Sequence, residues 1–199
     1  MWSCGKTCDA KGYCFDTQSD TEVILSAYRA WGKACLSRFN GMFAFLLLNR
    51  QEGKVLAVRD RFGINPRYYW ASPKGDVAFA SEINQFAVLD GWAAKTNPQR
   101  VYDYLTWGLT DHTPETLLSG VFQVRPGELL EIGVPGSRTS GKSVVPREAA
   151  DSTRWYSPRP FTGSFEDAAV EFRDIFTESI RLRLRADVPV GSCLSGGID

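Results

Sequence analysis

Apolar positions in this chain change period along its length, and the changes mark its elements. Ile24, Ala27, Tyr28 and Trp31 recur at helical spacing. Ser19-Asp20-Thr21-Glu22 precedes them, with serine at the cap and glutamate three residues on, the pattern of a capping box. Gly32 is placed to end that helix. Residues 41–48, Gly-Met-Phe-Ala-Phe-Leu-Leu-Leu, are apolar without alternation and predict a strand buried on both faces. A turn signal at 49–53 and a run at 54–59 then predict its hairpin partner. Runs at 67–70 and 76–80 flank the turn Ser72-Pro73-Lys74-Gly75, so the middle of the chain reads as an antiparallel meander. Asn97-Pro98 opens a second helix, a cap followed by proline at the first helical position, continuing through Tyr102 and Leu105. Residues 120–124 and 128–132 around Arg125-Pro126-Gly127 predict a last hairpin.

From 133 to 153 the composition shifts to Gly, Pro, Ser, Arg and Lys, as in a linker or insertion. A third capped helix starts at Ser164, with Phe165, Ala169, Phe172, Phe176, Ile180 and Leu184 along one face. Arg181, Arg183 and Arg185 complement its dipole, and a solvated helix end accounts for them better than a nucleic-acid surface. A strand-like run, 188–194, then leads into Ser195-Gly196-Gly197-Ile198-Asp199. Strand followed by Ser-Gly-Gly turns backbone N–H groups toward one point, a nest for a phosphate, and Asp199 is placed to hold Mg²⁺ or orient a nucleotide. A flexible C-terminus is the other reading of the same residues. No Gly-x-x-x-x-Gly-Lys loop is present, which argues against an ordinary P-loop ATPase. Helix, strand and glycine loop in that order start a parallel α/β domain, whereas the preceding part is α+β. A chain that stops inside such a loop reads as a fragment.

Composition narrows the classes further. Twenty-three basic and 23 acidic residues cancel, so nothing global recommends a nucleic acid or an acidic membrane as partner. The longest apolar run is too short to span a bilayer, and the first residues carry no signal-peptide pattern, which makes the cytoplasm the expected location. Five cysteines, at 4, 8, 14, 35 and 193, fit reduced thiols, and with one histidine they do not make a zinc site. His112 reads as an exposed loop residue.

Several stretches together resemble the glutamine-hydrolysing asparagine synthetase family: residues 20–25, 40–45, 59–66 (Arg-Asp-Arg-Phe-Gly-Ile-Asn-Pro), 80–83, 187–191 and 194–199. The resemblance implies a class II glutamine amidotransferase, an N-terminal-nucleophile αββα sandwich that is incomplete here, occupying 1–132. A linker follows at 133–157, and 158–199 holds the first helix and strand of an α/β ATP-pyrophosphatase synthetase domain. Glutamine, aspartate and ATP with Mg²⁺ are the implied substrates and cofactors. Ammonia from glutamine meets an activated aspartate, and asparagine, glutamate, AMP and pyrophosphate are the products. Asp20 matches the acid that binds the glutamine amino group. Leu194, Ser195, Gly196, Gly197 and Asp199 match the ATP loop, with Asp199 also a candidate Mg²⁺ ligand. The 59–66 segment reads as a structural clamp near the domain interface.

In the same resemblance the nucleophilic cysteine follows the initiator methionine. Trp2 stands there, and Cys4 has none of the expected neighbours, so no catalytic residue is assigned. The arginine and Asn-Gly-Glu segments expected before Asp20 are missing as well. The chain as given is therefore expected to catalyse neither half-reaction and to expose unpaired sheet edges. Two alternatives stand beside an asparagine synthetase: a related amide ligase such as a β-lactam synthetase-like amidotransferase, and a non-catalytic degenerate module. Oligomeric state stays open, with a homodimer as the candidate assembly.

Overall fold

The computed structural model describes residues 15–17, 19–134, 152–186 and 188–191. The chain divides into two units, Met1–Ser157 and Pro158–Asp199.

The first unit is built in layers. Helix α1 (Asp20–Trp31) and a 3₁₀ helix (Gly32–Arg38) precede strands β1 (Ala44–Asn49) and β2 (Lys54–Arg59). Strands β3 (Tyr68–Ala71) and β4 (Val77–Ala80), a 3₁₀ helix (Ile83–Val88) and helix α2 (Pro98–Trp107) come next. Then follow β5 (Val121–Gln123), β6 (Glu128–Gly133) and β7 (Ser152–Arg154). One antiparallel sheet has the order β1-β2-β6-β7 and a second the order β4-β3-β5. Alternation along the strands assigns the faces. Leu47, Leu56, Val58 and Leu129 pack with Ala27, Leu36 and Phe39 of the helical layer. Ala57, Leu130 and Ile132 point the other way and meet Tyr69 and Val124, with Val77, Phe79 and Phe122 around them. Beyond the second sheet, Trp70 and Val121 pack on Phe86 of the 3₁₀ helix.

Three sequence expectations are corrected here. The apolar run 41–48 is a strand only from Ala44, and it is not buried on both faces. Among the described residues β1 pairs with β2 alone, and Leu46 and Leu48 remain 43% and 56% exposed, because the second sheet's cover lies over β2 and β6. Hydrogen bonding at Phe43, whose carbonyl accepts from Asp60 N–H, sets the parity by which Ala44, Leu46 and Leu48 turn their backbone groups away from β2. Arg67 caps that edge by donating Nη2–H to Ala44 O at 2.8 Å, and burial lowers its pKa. The second correction concerns residues 120–132, which are not a hairpin. β5 joins β3 while β6 joins β2, so the 125–127 turn carries the chain from one sheet to the other. Thirdly, the 133–157 segment is not all linker. Residues 135–151 lie outside the described residues, but β7 pairs with β6 and Trp155 stacks on Phe43.

Residues 59–66 hold the layers together. Asp60 is 1% exposed, and its carboxylate accepts backbone N–H groups of Phe43, Phe62, Ile64 and Asn65 at 3.0–3.3 Å. Arg59 binds the opposite set, donating to the carbonyls of Asn65, Gly63 and Val124 at 2.7–2.9 Å and to Gln123 Oε1. With its polar backbone satisfied inward, the loop turns Phe62 and Ile64 out to solvent. Gly63 has φ +66, and a Cβ there would stand 2.7 Å from Pro126, so both conformation and space require glycine. Arg61 extends the clamp, donating to Ser37 O and lying over the Trp155 and Tyr156 rings.

The second unit contributes one long helix, α3 (Phe165–Arg183), capped by Ser164 as the sequence predicts. Its apolar face is exposed: Phe165 is 83% and Phe172 68% accessible. Residues 188–191 form no strand, since no described residue pairs with them.

Candidate functional site

Asp20 is the first residue of α1 and is exposed. Ser19 takes an extended cap conformation (φ −84°, ψ 133°), and its Oγ accepts Thr21 N–H at 3.2 Å. The other half of the expected capping box is not made. Glu22 does not return to the Ser19 amide; its carboxylate accepts Asp16 N–H and Thr17 N–H, both at 2.9 Å, and the Thr17 hydroxyl at 2.6 Å. Thr17 Oγ1 in turn accepts Ser19 N–H at 3.2 Å. These hydrogen bonds, the Thr17 hydroxyl foremost, hold the Glu22 carboxyl below its ordinary value. Among the described residues no side-chain hydrogen bond engages the Asp20 carboxylate, which stands at the positive end of α1, available to a cationic group.

The expected ATP loop, Leu194, Ser195, Gly196, Gly197 and Asp199, lies outside the described residues. Of the expected site residues, Asp20 alone is therefore placed. Cys4, Cys8 and Cys14 also fall outside; Cys35 is buried in the core under α1. Among the described residues no group of His, Cys, Asp and Glu could hold a metal ion, and no helix is long and apolar enough to cross a membrane. A surface cleft of about 300 Å³ lined by Trp70, Lys74, Asp76, Leu89 and Asp90 does not include Asp20.

His112 is more engaged than a loop histidine need be. Its Nε2 lies 2.8 Å from Arg100 Nη1 and 3.0 Å from Asp103 Oδ2, while Arg100 Nη2 reaches the same carboxylate at 3.0 Å. Burial alone would raise the Asp103 carboxyl. Hydrogen bonds from Gln99 and His112 and the neighbouring charges outweigh it, and the group sits below its ordinary value. This cluster fastens the 111–115 segment to α2. Sequence spacing gave no sign of it, because Arg100 and His112 meet only through the loop's return. The capping-box pattern marks Glu22 in the sequence but does not give its partners at residues 16–17.

Comparison with known proteins bears on both units. The family described as "Glutamine amidotransferase domain" matches residues 5–141, and "Asparagine synthase" matches residues 171–199. "Asparagine synthetase [glutamine-hydrolyzing] 1" of Bacillus subtilis (strain 168) is 35% identical over 96% of this chain and 28% of its own length. "Amidase chyE" of Penicillium rubens is 31% identical over 96% of the chain and 26% of its own. The chain thus spans little more than a quarter of these relatives. Among solved structures, a glutamine phosphoribosylpyrophosphate amidotransferase from B. subtilis, complexed with ADP and GMP, covers 66% of this chain and 24% of its own at 22% identity. Its TM-score of 0.45 is too low to assign a fold. The chain belongs to the glutamine amidotransferase domain family.

Proposed function

We propose that this amidotransferase-family chain forms part of a glutamine-dependent, ATP-driven amide ligase that makes asparagine from aspartate. The observation that carries the reading is the presence in one chain of a glutamine amidotransferase match at 5–141 and an asparagine synthase match at 171–199. One part releases ammonia from an amide, and the other consumes it at an activated carboxylate.

In this reading Asp20 receives the α-ammonium of glutamine. Its carboxylate is exposed at the start of α1, and the Ser19 cap and the Glu22 tie to residues 16–17 keep neighbouring donors from competing for it. The layer order of α1, two antiparallel sheets and a further helical layer supports an N-terminal-nucleophile sandwich for the first unit. Residues 158–199 are read as the start of an ATP-pyrophosphatase domain. The donor set of the 195–199 segment suits ATP and Mg²⁺: two glycines let phosphate approach backbone N–H groups, Ser195 adds a hydroxyl, and Asp199 offers a hard carboxylate oxygen. ATP bound there would supply the activation of the acceptor carboxylate. Leu194 would contribute backbone contact to the nucleotide.

A second reading, an amide ligase with a different acceptor, is favoured by one observation. A relative named an amidase is nearly as similar to this chain as those named asparagine synthetases. Expression of the whole reading frame that encodes these residues, with glutamine, ATP, Mg²⁺ and aspartate, tests both. Asparagine appearing with AMP and pyrophosphate is the expected result. Turnover only with another carboxylate acceptor selects the second reading. A folded product that hydrolyses neither glutamine nor ATP overturns both.

A further inference from the structure

We infer that Glu22 is a positioning residue for the glutamine site, fixing residues 16–17 beside Asp20 through its carboxylate. The inference rests on the reading of Asp20 as the glutamine-binding acid. Asp20 and Glu22 are two apart on a helix, so their side chains leave α1 in different directions and do not compete for one ligand. What Glu22 reaches is the chain that arrives at the helix. It accepts both N–H groups of Asp16 and Thr17 and the Thr17 hydroxyl, and that hydroxyl accepts the Ser19 amide. Phe15 packs against the core under α1, so the segment is held from both sides.

A standard capping box would spend Glu22 on Ser19 N–H. Here Thr17 takes that amide, which frees both carboxylate oxygens for the approach segment. An isosteric glutamine loses this, since its NH₂ group would face donors where an acceptor is needed.

The test compares, in the product of the whole reading frame that encodes these residues, wild type with Asp20→Asn, Glu22→Gln, Glu22→Asp and Thr17→Val. Two readouts are taken on each: amide hydrogen exchange at Asp16, Thr17 and Ser19, and an amide NMR titration with L-glutamine. Circular dichroism checks that α1 is retained. Asp20→Asn is expected to abolish the glutamine-dependent shifts and leave exchange protection at 16–17 intact. Glu22→Gln should lose that protection and weaken glutamine binding about tenfold, the scale of one charge-assisted hydrogen bond. Glu22→Asp, a shorter carboxylate, should recover part of both, and Thr17→Val should fall between wild type and Glu22→Gln. If Glu22→Gln keeps protection, or loses it with glutamine affinity unchanged, the positioning role is overturned. If wild type shows no glutamine-dependent shift, or Asp20→Asn shows the same shifts as wild type, the glutamine reading of Asp20 fails first.

Discussion

Helices α1 and α3 carry nearly the same local signals and have opposite fates. Each opens with a serine cap, Ser19 or Ser164, whose hydroxyl accepts a first-turn N–H. Both place acids in the first turn and arginine in the last. Yet α1 seals Ala27 completely and lays Val23, Ile24, Tyr28 and Trp31 on the sheet, whereas α3 has no buried residue. Caps and periodicity decide that a helix forms; burial needs a surface supplied from elsewhere in sequence. For α1 that surface is β1, β2 and β6. No described residue of the second unit offers α3 an equivalent, and in proteins most helical stability comes from packing of an apolar face.

The comparison breaks most sharply in the clamp. Asp60→Ala removes the acceptor of four backbone N–H groups in the first unit. Leaving several of them unsatisfied is expected to cost about 4–5 kcal/mol, read as a lower urea midpoint. An unchanged midpoint would mean that water replaces the carboxylate freely, contrary to its burial. Next in size is a matched pair of truncations. Phe39→Ala empties a fully buried position that meets Phe43 and Phe45 edge-on, at about 3–4 kcal/mol. Phe172→Ala, on the exposed face of α3, is expected to stay within about 0.5 kcal/mol in the same denaturation. Equal effects would show that α3 is covered in solution.

That contrast also measures what was legible in the sequence. Elements set by local chemistry were readable: α1 from Ser19, α2 from Asn97-Pro98, α3 from Ser164. The β1–β2 and β3–β4 pairings followed from short turns between matched runs. Pairing across the 125–127 turn was misread, because a short turn normally joins neighbours and here it connects two sheets. Burial of Leu46 and Leu48 was misjudged for a related reason: apolar composition does not say whether a covering layer reaches a strand. At the candidate site, the resemblance proposes Asp20, and the structure adds its exposed place at the start of α1. The partners of Glu22 were not legible, since a capping-box pattern permits two destinations for one carboxylate.

Removing the two serine caps gives a smaller effect and a finer comparison. Ser19→Ala should lower the stability of the first unit by about 1 kcal/mol, because α1 is part of its cooperative core. Ser164→Ala removes the cap of α3, the bond from Asp167 N–H, yet it should reduce helix content in residues 165–183 without moving the first unit's midpoint. Amide exchange resolved by residue distinguishes the two, and a shared shift would indicate that the units unfold together.

The smallest effect is expected from pH, again one carboxylate per helix. Glu22 ties a loop to α1 and is held low chiefly by the Thr17 hydroxyl; Glu178 pairs with Arg181 one turn on and is held low by that guanidinium. A carboxyl lowered in the folded state contributes stability above its unfolded value, near 4.5, and loses it as pH falls through the lower folded value. Both contributions should therefore be complete at neutral pH and fade in acid. They should fade differently. Losing the Glu178–Arg181 pair frays α3 alone, and 1 M salt should mimic it, since both side chains are more than half exposed. Losing Glu22 releases residues 16–17 while α1, sealed on the sheet, keeps its helix. Salt should leave that tie nearly unchanged, because its partners are neutral N–H and O–H groups. Salt-sensitive exchange at Thr17 would mean that the Glu22 tie is ionic and not built from those donors.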